Sequence, residues 1–294
     1  GKPAVSQLRF LEIPEESGRM AMLRTGEADV ADISLKNLPD LVKEGFSTKG
    51  TGAGNQIGIF YAGNLWETNH AITGEPLKRE GVCAKEQPWI GCPEDNGGDT
   101  NDMEEARQVR WALSESIDRE SLNENIVAGL GWPEYVEYCQ ANSPYFEDEW
   151  KADYDLESAK NRLKETAWPD GFEISMYIQM PHSIRPELGD AVAGFWQQLG
   201  PKMDVSVLKF AYTIYRSGVV GRSTIIPWVC ECDEGRTQWP FDWPKGMVMT
   251  SLTRGGFGCG NESPEMAQWF LEASQPEKTS EERIAINKSV CDYL

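Results

Sequence analysis

Three segments between Asp102 and Trp168 repeat apolar residues every three or four positions, and each is introduced by an aspartate. In the first, Ala106, Val109, Leu113 and Ile117 share a helical face, and Asp102 with Glu105 has the spacing of a capping box. In the second, Asp118 stands before the short stripe Leu122 and Ile126, with Gly129 and Gly131 supplying a left-handed stop. In the third, Asp155 precedes Leu156, Ala159 and Leu163, while Lys160, Arg162 and Lys164 face outward, and the helix ends before Trp168-Pro169-Asp170-Gly171. Elsewhere the period falls to two. Phe172, Ile174, Met176 and Ile178 alternate with Glu173, Ser175 and Tyr177, which predicts a strand with one buried face.

The same reading extends along the chain. Residues 7 to 34 read strand, helix, strand: Leu8 to Ile13, Gly18 to Thr25 and Ala28 to Ile33, with Gly26 as the helix stop. A short helix carrying Leu38, Leu41 and Val42 ends at Gly45, and Ile57 to Phe60 alternates as a strand. Gly50, Gly52 and Gly54 precede that strand rather than opening a helix, so they are not a dinucleotide fingerprint. Residues 63 to 101 are polar and aperiodic, a length of loop that is functional or pinned. After the alternating strand come a helix with Leu188, Val192, Phe195 and Leu199, stopped by Gly200, and a strand with Val205 and Val207. A short helix over Tyr212 to Ser217 and a strand from Ser223 to Trp228 follow, and a last helix carries Ile286, Val290 and Tyr293. Strands alternating with helices predict an α/β fold with a mixed, largely parallel sheet flanked by helices.

A long ordered set of residues carries a family resemblance. Ala106-Arg107-Gln108-Val109-Arg110-Trp111-Ala112-Leu113, Ile117-Asp118-Arg119-Glu120, Gly129, Pro144-Tyr145, Tyr154-Asp155, Ala159-Lys160 and Leu163 follow one another in this order. Upstream, Leu23, Gly26, Glu27 and Asp29 form a helix-to-strand step, and downstream come Asp170-Gly171-Phe172 and Leu199-Gly200. This order resembles the extracellular solute-binding proteins that include dipeptide, oligopeptide and nickel binders. The resemblance implies a periplasmic-binding-protein-like lobe in a two-lobed protein, which captures a small-molecule or peptide solute without catalysis and passes it to the membrane subunits of an ABC importer. It also implies a monomer in the periplasm or outside the cell, one that a lipid at a preceding N-terminus would anchor. Residues 1–34 would be a remnant of the first lobe leading to a hinge near Ser34, and residues 35–294 the second lobe with an insertion at 63–101. The chain is expected to be a fragment of such a protein.

Charge narrows the partners. With 28 basic and 47 acidic residues the net charge is −19, which repels nucleic-acid phosphates and anionic membranes. No stretch approaches the roughly 18 apolar residues of a membrane span. Seven cysteines favour an oxidising compartment. Cys83 and Cys92 bracket a loop at a separation suited to a local disulfide, and Cys232 with Cys259 is a weaker pairing. Cys139, Cys230 and Cys291 are assigned no partner by the sequence.

The candidate chemistry gathers after Trp228, in Val229-Cys230-Glu231-Cys232-Asp233-Glu234-Gly235 and Trp239-Pro240-Phe241-Asp242-Trp243-Pro244. Ligands of open α/β sheets bind beyond the carboxyl ends of strands. The resemblance implies a strand-end tryptophan followed by an aspartate that pairs with the ammonium group of a peptide; Trp228 matches the first and Asp233 approximately the second, with Cys230 and Cys232 as a departure. Tyr212 stands where relatives carry a cleft aromatic, and Arg185 is displaced from the position of a carboxylate clamp. Trp66, Trp89, Trp228, Trp239 and Trp243 would also suit stacking on sugar rings, which keeps an oligosaccharide as an alternative solute. A metal site of Cys230, Cys232, Asp233 and His70 or His182 lacks zinc-ribbon spacing, and no cofactor is expected. A secreted carbohydrate hydrolase is the rival from another class, with Asp233, Glu234 or Asp242 as its carboxylates, but no G-x-S-x-G or H-E-x-x-H occurs.

Overall fold

The computed structural model describes residues 5–48, 56–61, 66–69, 73–76, 83, 87–99, 101–136, 139, 141, 143–180, 184–211, 229–234 and 263–293. Contacts divide the chain into two compact units, Gly1–Lys49 and Gly50–Leu294.

The smaller unit is built on α1 (Glu16–Thr25), closed by Gly26 at φ 76°, and α2 (Leu38–Lys43). Arg19 donates to the carbonyls of Ile13, Pro14 and Asp32, fastening the segments on either side of α1. Glu16 accepts from the backbone N–H and hydroxyl of Ser34, and Arg24 forms a two-point bridge to Glu44 at 2.7 and 2.6 Å. The strands expected at Leu8–Ile13 and Ala28–Ile33 do not form among the described residues. Alternation suits a pleat, but a strand also needs a neighbour. Here the carbonyls of Ile13 and Asp32 go to a guanidinium instead, and Phe10 and Val30 remain 86% and 88% exposed.

The larger unit holds a four-stranded sheet of β1 (Gln56–Tyr61), β2 (Glu173–Met180), β3 (Asp204–Ala211) and β4 (Val229–Glu234), in the order β1-β4-β2-β3. β2 runs parallel to both β3 and β4, and β1 is antiparallel to β4 at the edge. The alternation in β2 works as expected: Ile174, Met176 and Ile178 are buried. Against this face pack α3 (Asp102–Glu115), α4 (Arg119–Asn125), α5 (Leu156–Lys164) and α6 (Arg185–Trp196), which contribute Val109, Leu113, Leu122, Leu163, Val192 and Trp196 to one core. Trp196 Nε1 donates to the Leu113 carbonyl at 3.0 Å, so this indole at the end of α6 supplies a partner to the end of α3.

Two of the three expected caps form as read: Asp118 accepts from the Ser121 N–H and Asp155 from the Ser158 N–H, each at 2.9 Å. The third moves upstream. Asp102 is already the first residue of α3, and the carboxylate of Asp99 takes the N–H groups of Asn101 and Asp102 at 2.8 and 3.2 Å. Gly200 does not stop α6, which ends at Trp196. It permits a close approach instead, because a Cβ there would lie 2.2 Å from the Asp170 carbonyl oxygen. Beside this, α3 and α5 are tied by Glu115, whose carboxylate accepts from Arg162 Nε at 2.8 Å and from the Ser158 hydroxyl, while the Arg162 guanidinium lies over the Trp111 ring.

The loop after β1 is pinned as expected by a Cys83–Cys92 disulfide. It also supplies core: Trp89 and Ile90 are buried, so Trp89 is not the exposed stacking surface that its loop position suggested. A second disulfide joins Cys139 to Cys291, in the helix α8 (Ser280–Tyr293), which follows α7 (Pro264–Ala273). Around it Phe146 and Trp150 pack edge to face, Trp150 Nε1 donates to Asp292 at 2.8 Å, and Lys288 pairs with Glu147. Cys259 lies outside the described residues, so its proposed link to Cys232 does too. Non-reducing peptide mapping is expected to recover Cys83–Cys92 and Cys139–Cys291 as separate linked pairs; finding either pair as free thiols would contradict this framework.

Candidate functional site

The parallel register brings the carboxyl ends of three strands to one edge of the sheet. Met180 ends β2 opposite Ala211, the last residue of β3, and β4 runs the same way from its pairing of Val229 with Met176. Asp233 and Glu234 therefore lie at this edge, where Asp233 stands opposite Ile57 of β1. The strand here was expected to end at Trp228, but residues 229–234 form β4 itself. Two hydrogen-bonded neighbours in register, β1 on one side and β2 on the other, outweigh the weak strand propensity of Glu and Asp.

The strand also sets distances. Val229 begins β4, and Asp233 follows four residues later, roughly 13 Å along an extended chain. Trp228, Tyr212 and Trp239 lie outside the described residues, as do His70, His182, Asp242 and Trp243. Trp66 is half-buried against the main core. Among the described residues no group of three or more His, Cys, Asp or Glu side chains could hold a metal ion, and no helix is long and apolar enough to cross a membrane.

Behind β1 lies a cavity of about 190 Å³, walled by Ile57, Ile59 and Tyr61 of β1, Ile117 and Leu122 near α4, and Leu188 and Val192 of α6. Its polar lining comes from Ser114, Arg119, Glu134 and Tyr135. Arg119 is a hub: Nε donates to the Glu134 carbonyl at 2.8 Å, Nη1 to the carbonyls of Ser114 and Ala152 at 2.9 and 3.1 Å, and Nη2 to the Ser114 hydroxyl at 2.7 Å. Its guanidinium sits 5.2 Å from the Tyr135 ring centre. Burial lowers its pKa, yet an arginine keeps its charge, so these carbonyl dipoles replace the water it has lost.

The Glu134 carboxylate accepts from Trp132 Nε1 and the Ala141 N–H at 2.5 and 2.8 Å. Burial nevertheless pushes its carboxyl above the usual range, against the opposing pull of those two bonds. The folded state thus holds this proton more tightly than the unfolded chain does. The associated stability is present at pH below the ordinary carboxylate range and is lost as pH rises through the raised folded value. Glu134→Gln should therefore gain in stability relative to the wild type as pH rises from the ordinary carboxylate range through the raised folded value, as read by urea unfolding. A pH-independent difference would contradict the assignment.

None of Arg119, Glu134, Tyr135 or Tyr61 emerged from the sequence as a site residue. The motif Ile117-Asp118-Arg119 was the available signal for Arg119.

Residues 1–225 match the family described as bacterial extracellular solute-binding proteins, family 5 middle. The chain belongs to that family. The solved structures agree in fold. The chain is similar to a DppA periplasmic binding protein from Helicobacter pylori, in complex with the peptide STSA, at 15% identity and a TM-score of 0.58, covering 96% of this chain and 48% of that one. A dipeptide binding protein from Pseudoalteromonas sp. SM9913, in complex with Met-Leu, has 17% identity and a TM-score of 0.60, covering 96% and 49%. AgaA from A. tumefaciens R10, in complex with agropinic acid, has 16% identity and a TM-score of 0.61, covering 95% and 49%. This family 5 chain thus spans about half the length of these structures. No curated protein matches it.

Proposed function

We propose that this chain supplies one lobe of a solute-binding protein that captures a peptide or amine-bearing small solute and delivers it to an ABC importer. Family membership carries the reading. The common edge formed by the carboxyl ends of β2, β3 and β4 supports it, because open sheets offer their ligand crevice there. Asp233 at that edge would accept the solute's ammonium group, and Tyr212, which follows the last residue of β3, would flank it. Trp228, Trp239 and Trp66 are the further residues proposed to line the crevice. Closure of two lobes about a hinge would bury the solute, residues 1–34 belonging to the first lobe and 35–294 to the second. The protein would act as a monomer in the periplasm or outside the cell, with the importer's membrane subunits as its protein partners.

Among the tryptophans suited to sugar stacking, Trp89 is buried and Trp66 gives part of its surface to the core, which favours an amine over an oligosaccharide. Calorimetry with a dipeptide and with a neutral oligosaccharide tests this on the natural protein. Asp233→Asn should weaken the dipeptide about thirtyfold, corresponding to roughly 2 kcal/mol for a charge-assisted bond. Unchanged dipeptide binding in that variant, together with oligosaccharide binding abolished by Trp228→Ala, would reverse the choice of solute.

A further inference from the structure

We propose that the cavity behind β1 is a second binding site, which takes a compact aromatic molecule carrying one hydroxyl group, of the size and polarity of phenol. Capacity is the first argument: the cavity measures about 190 Å³, and a lined apolar cavity of roughly 150 Å³ is enough to hold benzene. The lining is the second. Ile57, Ile59, Ile117, Leu122, Leu188 and Val192 surround the space with aliphatic carbon, and Met176 adds a polarisable sulfur of the kind that packs against ring edges.

The polar groups set what the guest must carry. Arg119 donates to the Ser114 hydroxyl and to backbone carbonyls, and the Glu134 carboxylate accepts from Trp132 and Ala141. Tyr61 is different. Its ring rests near Trp196, with centroids 6.4 Å apart, and its hydroxyl makes no hydrogen bond among the described residues. Burial holds this phenol protonated, so it offers one donor and one acceptor to a neutral partner. The Tyr61 hydroxyl among the aliphatic side chains calls for one hydroxyl on an otherwise apolar guest, with Ser114, Arg119, Glu134 and Tyr135 forming the remaining polar lining. A strongly charged guest is disfavoured, since Arg119 and Glu134 place opposite charges on the same lining.

The proposal does not depend on the strand-edge reading, and its test separates the two. Titration of the protein with phenol and with toluene, followed by calorimetry and by chemical-shift changes, should show saturable binding of one molecule of either per chain. Tyr61→Phe should weaken phenol about fivefold, the worth of one neutral hydrogen bond, and leave toluene unchanged. Val192→Phe, which fills the cavity, should abolish both, and Asp233→Asn should alter neither. Absence of saturable phenol binding to the wild type would overturn the proposal. So would equal weakening of phenol and toluene by Tyr61→Phe, or loss of phenol in Asp233→Asn.

Discussion

Removing the Cys139–Cys291 disulfide by paired replacement with alanine is expected to destabilise the protein by about 5 kcal/mol on the chain-entropy scale, against about 2.5 kcal/mol for Cys83–Cys92. The difference follows from loop length: the first bridge closes a sequence separation of 152 and the second one of 9. The long bridge also carries a local structure that the short one lacks. It holds α8 beside the Trp150–Asp292 bond and the Glu147–Lys288 pair, so its loss should increase exchange at Trp150 and shift its emission to the red. Urea unfolding of the two double variants checks the ranking. A larger loss from the Cys83–Cys92 variant would show that the denatured chain, or strain in the native loop, outweighs loop closure.

Arg119→Met is expected to lose about 3 kcal/mol. The substitution keeps most of the side-chain volume but removes the donor to the Glu134 and Ala152 carbonyls, and each buried acceptor left unpaired costs roughly 1–3 kcal/mol. Arg119→Lys should recover only part of this, because an ammonium cannot reach carbonyls on opposite sides as a planar fork does. Chemical unfolding measures both. A loss below about 1 kcal/mol in Arg119→Met would mean that water replaces the guanidinium at those carbonyls, and the hub would then have little structural role.

The legible parts of this fold are those whose partners lie close in sequence. Asp118 and Asp155 cap helices through an N–H three residues on, and β2 shows its buried face in its own alternation. Asp102 was misread because two aspartates competed for one helix start, and Asp99 had the geometry to reach both N–H groups. The same limit explains the strands expected at Leu8–Ile13 and Ala28–Ile33, where a suitable pattern pairs with no neighbour among the described residues. Cys139–Cys291 was illegible because nothing local marks a partner at a separation of 152. Trp89 was read as an exposed stacking surface because a pinned loop has no period from which burial can be read. The candidate edge was only half visible: the sequence singled out Asp233 but not the strand beneath it, since β4 is made by register with β1 and β2. Arg119 was hidden for a related reason. Its acceptors are mostly backbone carbonyls, which every residue possesses, so no residue type announces them.

Native mass spectrometry of the protein purified from its source, compared with the same sample after denaturation, tests the solute-binding account most directly. The account predicts a bound species with the mass of a peptide or small amine, released unchanged on denaturation and displaced by excess of the same solute. A protein that carries no solute and converts added peptide or sugar into product would contradict it.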